Sequence, residues 1–385
     1  MSDKAILPGA TLGMLGGGQL GRMFVMAAHS LGYRVAVLDP DSDSPAGRIA
    51  EHHIKSSYDD KQALQQMSEL CEAITTEFEN VPTETLQVLE QTNIVRPSAK
   101  SVKIAQNRIQ EKKFLAENNF PTAKFYPIQN ENDIRQAMSE LNSSSILKVA
   151  TFGYDGKGQA IVNNVDEALQ AFNQMDQVAC VLEQKVELAS EVSVVLCRSH
   201  HGQISAYPVG ENVHVNGILE TTLVPSTLDQ SIQEQALSEA KRFAEQLDYC
   251  GVLAVEFFYT KQGKLLINEV APRPHNSGHY TLDACICSQF EQQVRMLCGL
   301  PAGSTEIISP VVMFNLLGDI WQNGEPDWWT LLAHENVKLH LYGKSEARNG
   351  RKMGHFNCLG LGISDSGNDL LKQAHDLAED LPQTK

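Results

Sequence analysis

The stretch from Gly251 to Tyr280 constrains this chain most. Two apolar runs, Gly251–Thr260 and Leu265–Ala271, flank a short polar break containing Gly263, the pattern of a β-hairpin. Each run carries one acid among apolar neighbours, Glu256 in the first and Glu269 in the second. A two-residue loop at Gln262 and Gly263 sets Glu256 directly opposite Glu269. A three-residue loop sets it opposite Asn268, with Glu269 one step along. Either register puts two carboxylates into an apolar ribbon. Like charges opposite one another weaken a strand pair, and burying them unpaired costs more. A solvated strand face removes the difficulty, and so does a divalent cation. Magnesium takes oxygen ligands, typically one or two carboxylates together with substrate phosphates. The apolar flanks of both acids favour the cation. A dense polar run follows, Arg273, His275, Asn276, Ser277 and His279, able to bind an oxyanion and manage protons.

With 385 residues the chain can bury more than one core, so two or three domains are expected. Its formal charge of −16, from 31 basic and 47 acidic residues, argues against nucleic acid as a partner. The eight cysteines include no Cys-x-x-Cys and suit neither a zinc site nor a disulfide scaffold. A reducing cytoplasm is the expected setting. Met1–Ala10 lacks the basic and apolar segments of a signal peptide. No apolar run reaches the length of a membrane span, so no membrane partner is expected.

Ala10–Leu15 reads as a strand. Gly16-Gly17-Gly18-Gln19-Leu20-Gly21-Arg22 follows, then an amphipathic helix to about Ser30 and a strand Arg34–Leu38 ending at Asp39. Glycines 16, 18 and 21 with Asp39 match the dinucleotide spacing and, taken alone, predict an NAD-dependent dehydrogenase. The glycines themselves report close backbone approach to an anion at a helix N-terminus. A sugar phosphate fits, with Gln19 as a further donor. A turn needed only for tight packing is the third reading. Residues 59–71 read as a helix and Ala73–Thr76 as a strand. In such a parallel sheet ligands sit beyond the carboxyl ends of the strands, where Glu77 and Glu79 face the glycine turn. One acid is expected to bind substrate and the other to cap the helix starting near Pro82.

Residues 101–119 read as one charged helix whose Arg108, Lys112 and Lys113 are mostly solvated. A change of character follows at Asn119-Phe120-Pro121. Ile146–Ala150 is a short strand carrying Lys148, and Gly153-Tyr154-Asp155-Gly156-Lys157-Gly158-Gln159 suits a flap whose amides cover phosphates. Lys148 adds a point charge there. Gly156-Lys157 is followed by Gly158 and not by Ser or Thr, so this is not a Walker loop. Val181–Val186 reads as a strand whose edge amides are open to a purine ring, with Glu191 placed to take ribose hydroxyls.

The Lys148 strand, the 153–159 loop, the 183–186 strand, Glu191 and the Glu256/Asn268/Glu269 hairpin occur in the order seen in ATP-grasp enzymes, which the chain resembles. Four segments, 16–23, 77–81, 152–159 and 271–280, with 350–355 as a fifth, narrow the resemblance to the N5-carboxyaminoimidazole ribonucleotide synthetases of purine biosynthesis. The resemblance implies an α/β and α+β architecture. A Rossmann-like pre-ATP-grasp domain spans 1–104, and a linker and glycine-loop lid 105–187. A mixed-sheet ATP-grasp domain, with the metal site and a small C-terminal subdomain, spans 188–385. It implies ATP contacts from Arg108, Lys148, the Gly153–Gln159 flap, Glu183, Gln184, Lys185 and Val186. Glu191, His214, Asn268 and Glu269 complete that set. Magnesium, or manganese in its place, would be held by Glu256 and Glu269. Tyr154, Asp155, Arg273 and His275 would be catalytic. Gly18, Gln19, Leu20, Glu77, Asn276, Ser277, Arg351 and Lys352 would bind the aminoimidazole ribotide. A homodimer is implied as well. A formate-using ligase on the same fold is the nearest competing activity, and a non-catalytic nucleotide-binding module a further one.

Overall fold

The computed structural model describes residues 4–153, 157–361 and 367–381. The chain forms three sheets among these residues. The first is parallel, built from Thr11–Leu15, Arg34–Leu38, His52–Ile54, Ala73–Thr76 and Ile94–Val95, with Thr11–Leu15 central. The glycine turn leads into the helix Gln19–Ser30, which buries Leu20, Met23, Phe24, Val25 and Ala28. That helical spacing of apolar residues is why the segment packs as one face. Asp60 caps the next helix, Lys61–Leu70, by accepting from the amides of Gln62 and Ala63.

The second sheet is antiparallel, in the order Phe125–Ile128, Cys180–Gln184, Ser145–Val149, Gln159–Val162. Helices Glu131–Leu141 and Val165–Gln174 bury Ile134, Ala137, Met138, Ala168 and Phe172 against it. The third sheet has nine strands, and its strand pairings among the described residues are antiparallel. Its parallel contact is an isolated bridge from Thr122 to Ile267. One face packs under the helix Gln230–Gln246 through Val192, Val194, Val255 and Phe257. The other face meets the helix Gln289–Cys298 through Met296.

That helix also reaches the first sheet. Val294, Leu297 and Cys298 share a core with Leu12, Phe24, Val35 and Val37. Arg96 Nη1 donates to the carbonyls of Met296 and Leu297 at 2.8 and 3.1 Å. The eight cysteines are free thiols, seven of them buried, as small apolar side chains. No helix among the described residues is long and apolar enough to cross a membrane.

Candidate active site

The hairpin contains both registers foreseen for it. Near the tip Tyr259 pairs with Leu265 and Phe257 with Ile267, the register of a three-residue loop, with Gly263 at φ +74°. Asn268 is then an extra residue, and beyond it Glu256 pairs with Glu269. Such a bulge resets side-chain alternation. Ile267 and Val270 both belong to the core under helix Gln230–Gln246. The consecutive side chains of Asn268 and Glu269 therefore both leave that face. From Glu269 a polar row crosses the sheet through Glu256, through Ser193 which pairs with it, and on to Glu191 and His214. His214 Nδ1 lies 3.1 Å from Glu191 Oε2. Burial opposes charge on His214, but Glu191 and the Glu256 charge together outweigh it and raise the imidazole pKa.

The two opposed acids divide their roles. Arg108 Nη1 contacts Glu269 Oε2 at 2.6 Å and holds that carboxyl down at about 2. Burial and the neighbouring Glu269 charge push Glu256 up to about 7. His275 Nε2 lies 3.2 Å from Glu256 Oε1. Burial, then Arg273 and Lys352, lower His275 to about 3, so the ring is neutral. The Ser277 amide donates to His275 Nδ1 at 3.3 Å, and the Ser277 hydroxyl lies 2.9 Å from the same nitrogen. Nδ1 is thus the acceptor, and the ring proton sits on Nε2 facing Glu256. Ser193 Oγ donates to Ser277 Oγ at 2.8 Å. Asn276 exchanges two 2.9 Å amide hydrogen bonds with Asn315. Arg273 Nε donates to Glu79 Oε2 at 2.6 Å, and its charge lowers the Glu79 pKa against the effect of burial.

The glycine turn differs from the phosphate reading. The amides of Gly18 and Gly21 both donate to the Glu77 carboxylate, the latter at 2.7 Å. The Gly17 amide donates to Asp39 Oδ2 at 2.6 Å. The anion at this helix N-terminus is a side chain of the protein itself. A Cβ on Gly16, where φ is +102°, would stand 2.9 Å from Glu77 Oε1, and one on Gly18 2.7 Å. Tight packing around Glu77 accounts for these glycines. The expectation that Glu77 or Glu79 caps the next helix is not met: the helix Thr83–Leu89 has Pro82 at its N-cap and no side-chain cap.

A cavity of about 670 Å³ opens between the three sheets. Arg108, Glu269, Arg273 and His275 line its inner wall, and Gly153 and Lys157 come from the lid loop. Gln19, Leu20 and Glu77 line it from the first sheet, with Asn276, Arg351 and Lys352 at the C-terminal side. A smaller cavity of about 250 Å³ adjoins it at Gly18, Asp39, Tyr58, Lys344 and Arg351. Arg351 Nη1 donates to the Glu346 carbonyl at 2.7 Å. Lys148 is buried with Nζ 3.2 Å from Glu183 Oε2. Gly158, at φ +71°, and Gln159 stand where the loop re-enters its strand. Tyr154, Asp155 and Gly156 lie outside the described residues.

Two further expectations need correction. The Cys180–Gln184 strand is interior to its sheet, not an edge. The Gln184 and Lys185 amides already donate to Lys124 and Ser144 carbonyls, at 2.8 and 3.0 Å. Only Val186 onward is past those bonds. The charged helix is two helices, Ala99–Gln106 and Arg108–Glu117, broken at Asn107, which caps the second. Lys112 is not solvated: it is 1 % exposed. Its Nζ donates to Thr122 Oγ1 at 3.0 Å and to the Asn268 carbonyl at 2.9 Å, and lies 3.5 Å from Glu183 Oε2. The Asn107 capping signal was present in the sequence and would have placed Arg108 at a helix start. Nothing local marked Ser193 or Asn315.

The donor set suits a hard cation. It comprises two facing carboxylates and Asn268 Oδ1, a buried oxygen with no hydrogen-bond partner. Among the described residues no group of three or more His, Cys, Asp or Glu forms a closed metal site. Two carboxylates with open positions match magnesium completed by phosphate oxygens.

Glu111 shows how burial acts here. Its Oε1 accepts from the Val270 amide at 2.6 Å, and burial pushes its carboxyl up to about 8 despite Lys112 and Arg108 nearby. An acid with a raised folded pKa contributes stability below its unfolded value of about 4.5 and loses it as pH rises through about 8. The melting temperature of Glu111→Gln, minus that of wild type, is expected to increase between pH 5 and pH 8.5. A difference independent of pH would count against this ionisation.

Three family models match in succession: the ribonucleotide synthetase preATP-grasp domain over residues 9–106, the ATP-grasp domain over 113–290, and the phosphoribosylaminoimidazole carboxylase C-terminal domain over 311–366. The chain is 42% identical over 356 residues to the N5-carboxyaminoimidazole ribonucleotide synthase of Bacillus subtilis (strain 168), covering 92% of this chain and 93% of that one. The Staphylococcus aureus N5-carboxyaminoimidazole synthetase complexed with ADP superposes with a TM-score of 0.90 at 34% identity, covering 97% and 98% of the two chains. The Aspergillus clavatus enzyme in complex with ADP and 5-aminoimidazole ribonucleotide superposes with a TM-score of 0.86 at 28% identity, covering 97% and 99%. With Gly153, Lys157 and Glu269 lining one cavity and three family models matched in succession, the chain belongs to the N5-carboxyaminoimidazole ribonucleotide synthase family and is an ATP-dependent ligase of the ATP-grasp fold.

Proposed function

We propose that Glu256 and Glu269 hold the cation that accompanies ATP, and that the 670 Å³ cavity seats bicarbonate and the ribotide beside the γ-phosphate. The chain carries out the ATP-dependent carboxylation of 5-aminoimidazole ribonucleotide to N5-carboxyaminoimidazole ribonucleotide, releasing ADP and phosphate. The observation that carries the residue assignment is the opposed acid pair, with Glu269 at the cavity wall and paired to Arg108, and Glu256 opposite it on the neighbouring strand. Arg108, Lys148, the flap, residues 183–186, Glu191, His214 and Asn268 are the proposed nucleotide contacts.

Bicarbonate is a poor electrophile. Phosphorylation to carboxyphosphate gives it a good leaving group. That transfer needs positioning and charge neutralisation more than covalent help. Lys148 and the flap amides supply positive charge, and magnesium when bound adds Lewis-acid charge stabilisation. Carboxyphosphate hydrolyses readily, so the flap must exclude water. Arg273, aligned by Glu79, is placed to hold the carboxylate oxygens. The amine of the ribotide attacks carbon and loses a proton. His275 Nδ1 already accepts from Ser277, which leaves Asp155 as the proposed proton acceptor.

Gln19, Asn276, Arg351 and Lys352 are the proposed ribotide contacts, with Gly18, Leu20, Glu77 and Ser277 shaping their surroundings. Arg351→Ala is expected to raise the KM for the ribotide about tenfold or more while the KM for ATP stays within about twofold, as loss of one charge-assisted phosphate contact implies. Phosphate release with magnesium and bicarbonate saturating, measured over a concentration series of ATP and of 5-aminoimidazole ribonucleotide in turn, reads both constants. Equal effects on the two would remove Arg351 from the phosphate site. We also propose domains at 1–104, 105–187 and 188–385, supported by the fact that each boundary falls between sheets. A cytoplasmic setting, supported by the free cysteines, and a homodimer complete the reading.

A further inference from the structure

One turn of helix addresses three consecutive residues of the bulged strand. Arg108 contacts the Glu269 carboxylate, Glu111 accepts from the Val270 amide at 2.6 Å, and Lys112 donates to the Asn268 carbonyl at 2.9 Å. The i, i+3, i+4 spacing puts these three side chains on one helix face. Thr122 adds a fourth tie: its hydroxyl accepts from Lys112 at 3.0 Å and donates to the Ile267 carbonyl at 3.0 Å. Lys112 also stands 3.5 Å from Glu183, which in turn faces Lys148.

These contacts meet the one place in the hairpin where the ladder slips. A bulge leaves a residue without its regular cross-strand bonds. A plain hairpin in the tip's register would oppose Glu256 to Asn268 and turn Glu269 toward the core. Backbone groups at residues 267, 268 and 270 are each claimed by a side chain from outside the sheet. We propose that Lys112 and Glu111 are positioning residues that hold the bulge at Asn268, and that the bulge is what sets Glu269 beside Asn268 and opposite Glu256 as a cation site. This rests on the reading of Glu256 and Glu269 as cation ligands. Neither positioning residue needs to touch nucleotide or cation.

The test compares ADP binding by calorimetry with and without magnesium, together with Mn²⁺ binding to the ADP complex by electron paramagnetic resonance. For Lys112→Met the affinity gained on adding magnesium is expected to fall roughly 10- to 100-fold, the range for supports behind metal ligands. Metal-free ADP affinity should stay within about threefold. Glu111→Ala should behave likewise. Glu111→Gln, whose amide oxygen can still accept from Val270, should keep most of the metal-dependent gain. If Lys112→Met does not fold by circular dichroism, Glu111→Ala and Thr122→Val carry the test. A merely structural role would weaken both affinities together, and that result overturns the proposal. Glu269→Gln separates the layers. If it leaves the metal-dependent gain intact, the ligand reading fails. If it removes the gain while Lys112→Met and Glu111→Ala do not, only the positioning proposal fails.

Discussion

Glu269→Gln is expected to lower ATP turnover by roughly 10²- to 10³-fold, the scale of losing one preorganised charge contact to the reacting groups. Arg108 holds the Glu269 carboxyl well below the usual carboxylate range, whereas burial and the Glu269 charge raise Glu256. In the proposed cation site Glu269 is therefore the member of the pair whose charge Arg108 secures. A glutamine has the same shape but carries no charge, and Arg108 loses its partner. The Glu269 side chain is 37 % exposed, so solvent compensates Arg108 and the stability loss should be only about 1 kcal/mol. Phosphate release measured with saturating ribotide and bicarbonate, beside a thermal melt, reads both effects. Turnover within a fewfold of wild type would remove Glu269 from the metal site.

Glu77→Ala is the second large effect, on stability first. Its carboxylate is buried and accepts from the Gly18 and Gly21 amides at the start of helix Gln19–Ser30. Removing it leaves two donors at a helix N-terminus without their acceptor and opens a gap among Gly16, Gly18 and Phe78. Hydrogen bonds to charged groups each contribute about 1.5–3 kcal/mol, so a loss of about 3 kcal/mol is expected, partly recovered if water enters. Glu77→Gln can satisfy one amide through its oxygen and should fall between. A melt of Glu77→Ala indistinguishable from wild type would show that the turn is held by something else. The same contact bears on the dehydrogenase reading. A dinucleotide's pyrophosphate would have to displace Glu77 from the amides it needs.

Local pattern carried much of the fold. Arg34–Leu38, Ala73–Thr76 and Gly251–Thr260 are strands at the bounds read from residue type alone. The reason is that their apolar runs end at turn residues. What was not legible depends on partners distant in the chain. Glycines 16 to 18 report a close neighbour but not whether it is a ligand or Glu77. Lys112 looks like any solvated helix lysine until Asn268 and Thr122, from two other segments, close over it. The choice between opposing Glu256 to Asn268 or to Glu269 could not be made from loop length. The loop sets one register and a bulge five residues later sets the other. The interior position of Cys180–Gln184 follows from sheet order, which a single strand's composition does not encode.

The helix Gln289–Cys298 falls between residue 290, where one recognised family segment ends, and residue 311, where the next begins, apart from its first two residues. Yet it completes the apolar centre beneath Leu12 and Val35. The units by which this chain is classified are therefore not the units in which it conceals its oily surface. A piece cut at residue 106 would leave the apolar side chains of its own interior open to water, because the helix that covers them is supplied from nearly two hundred residues further along.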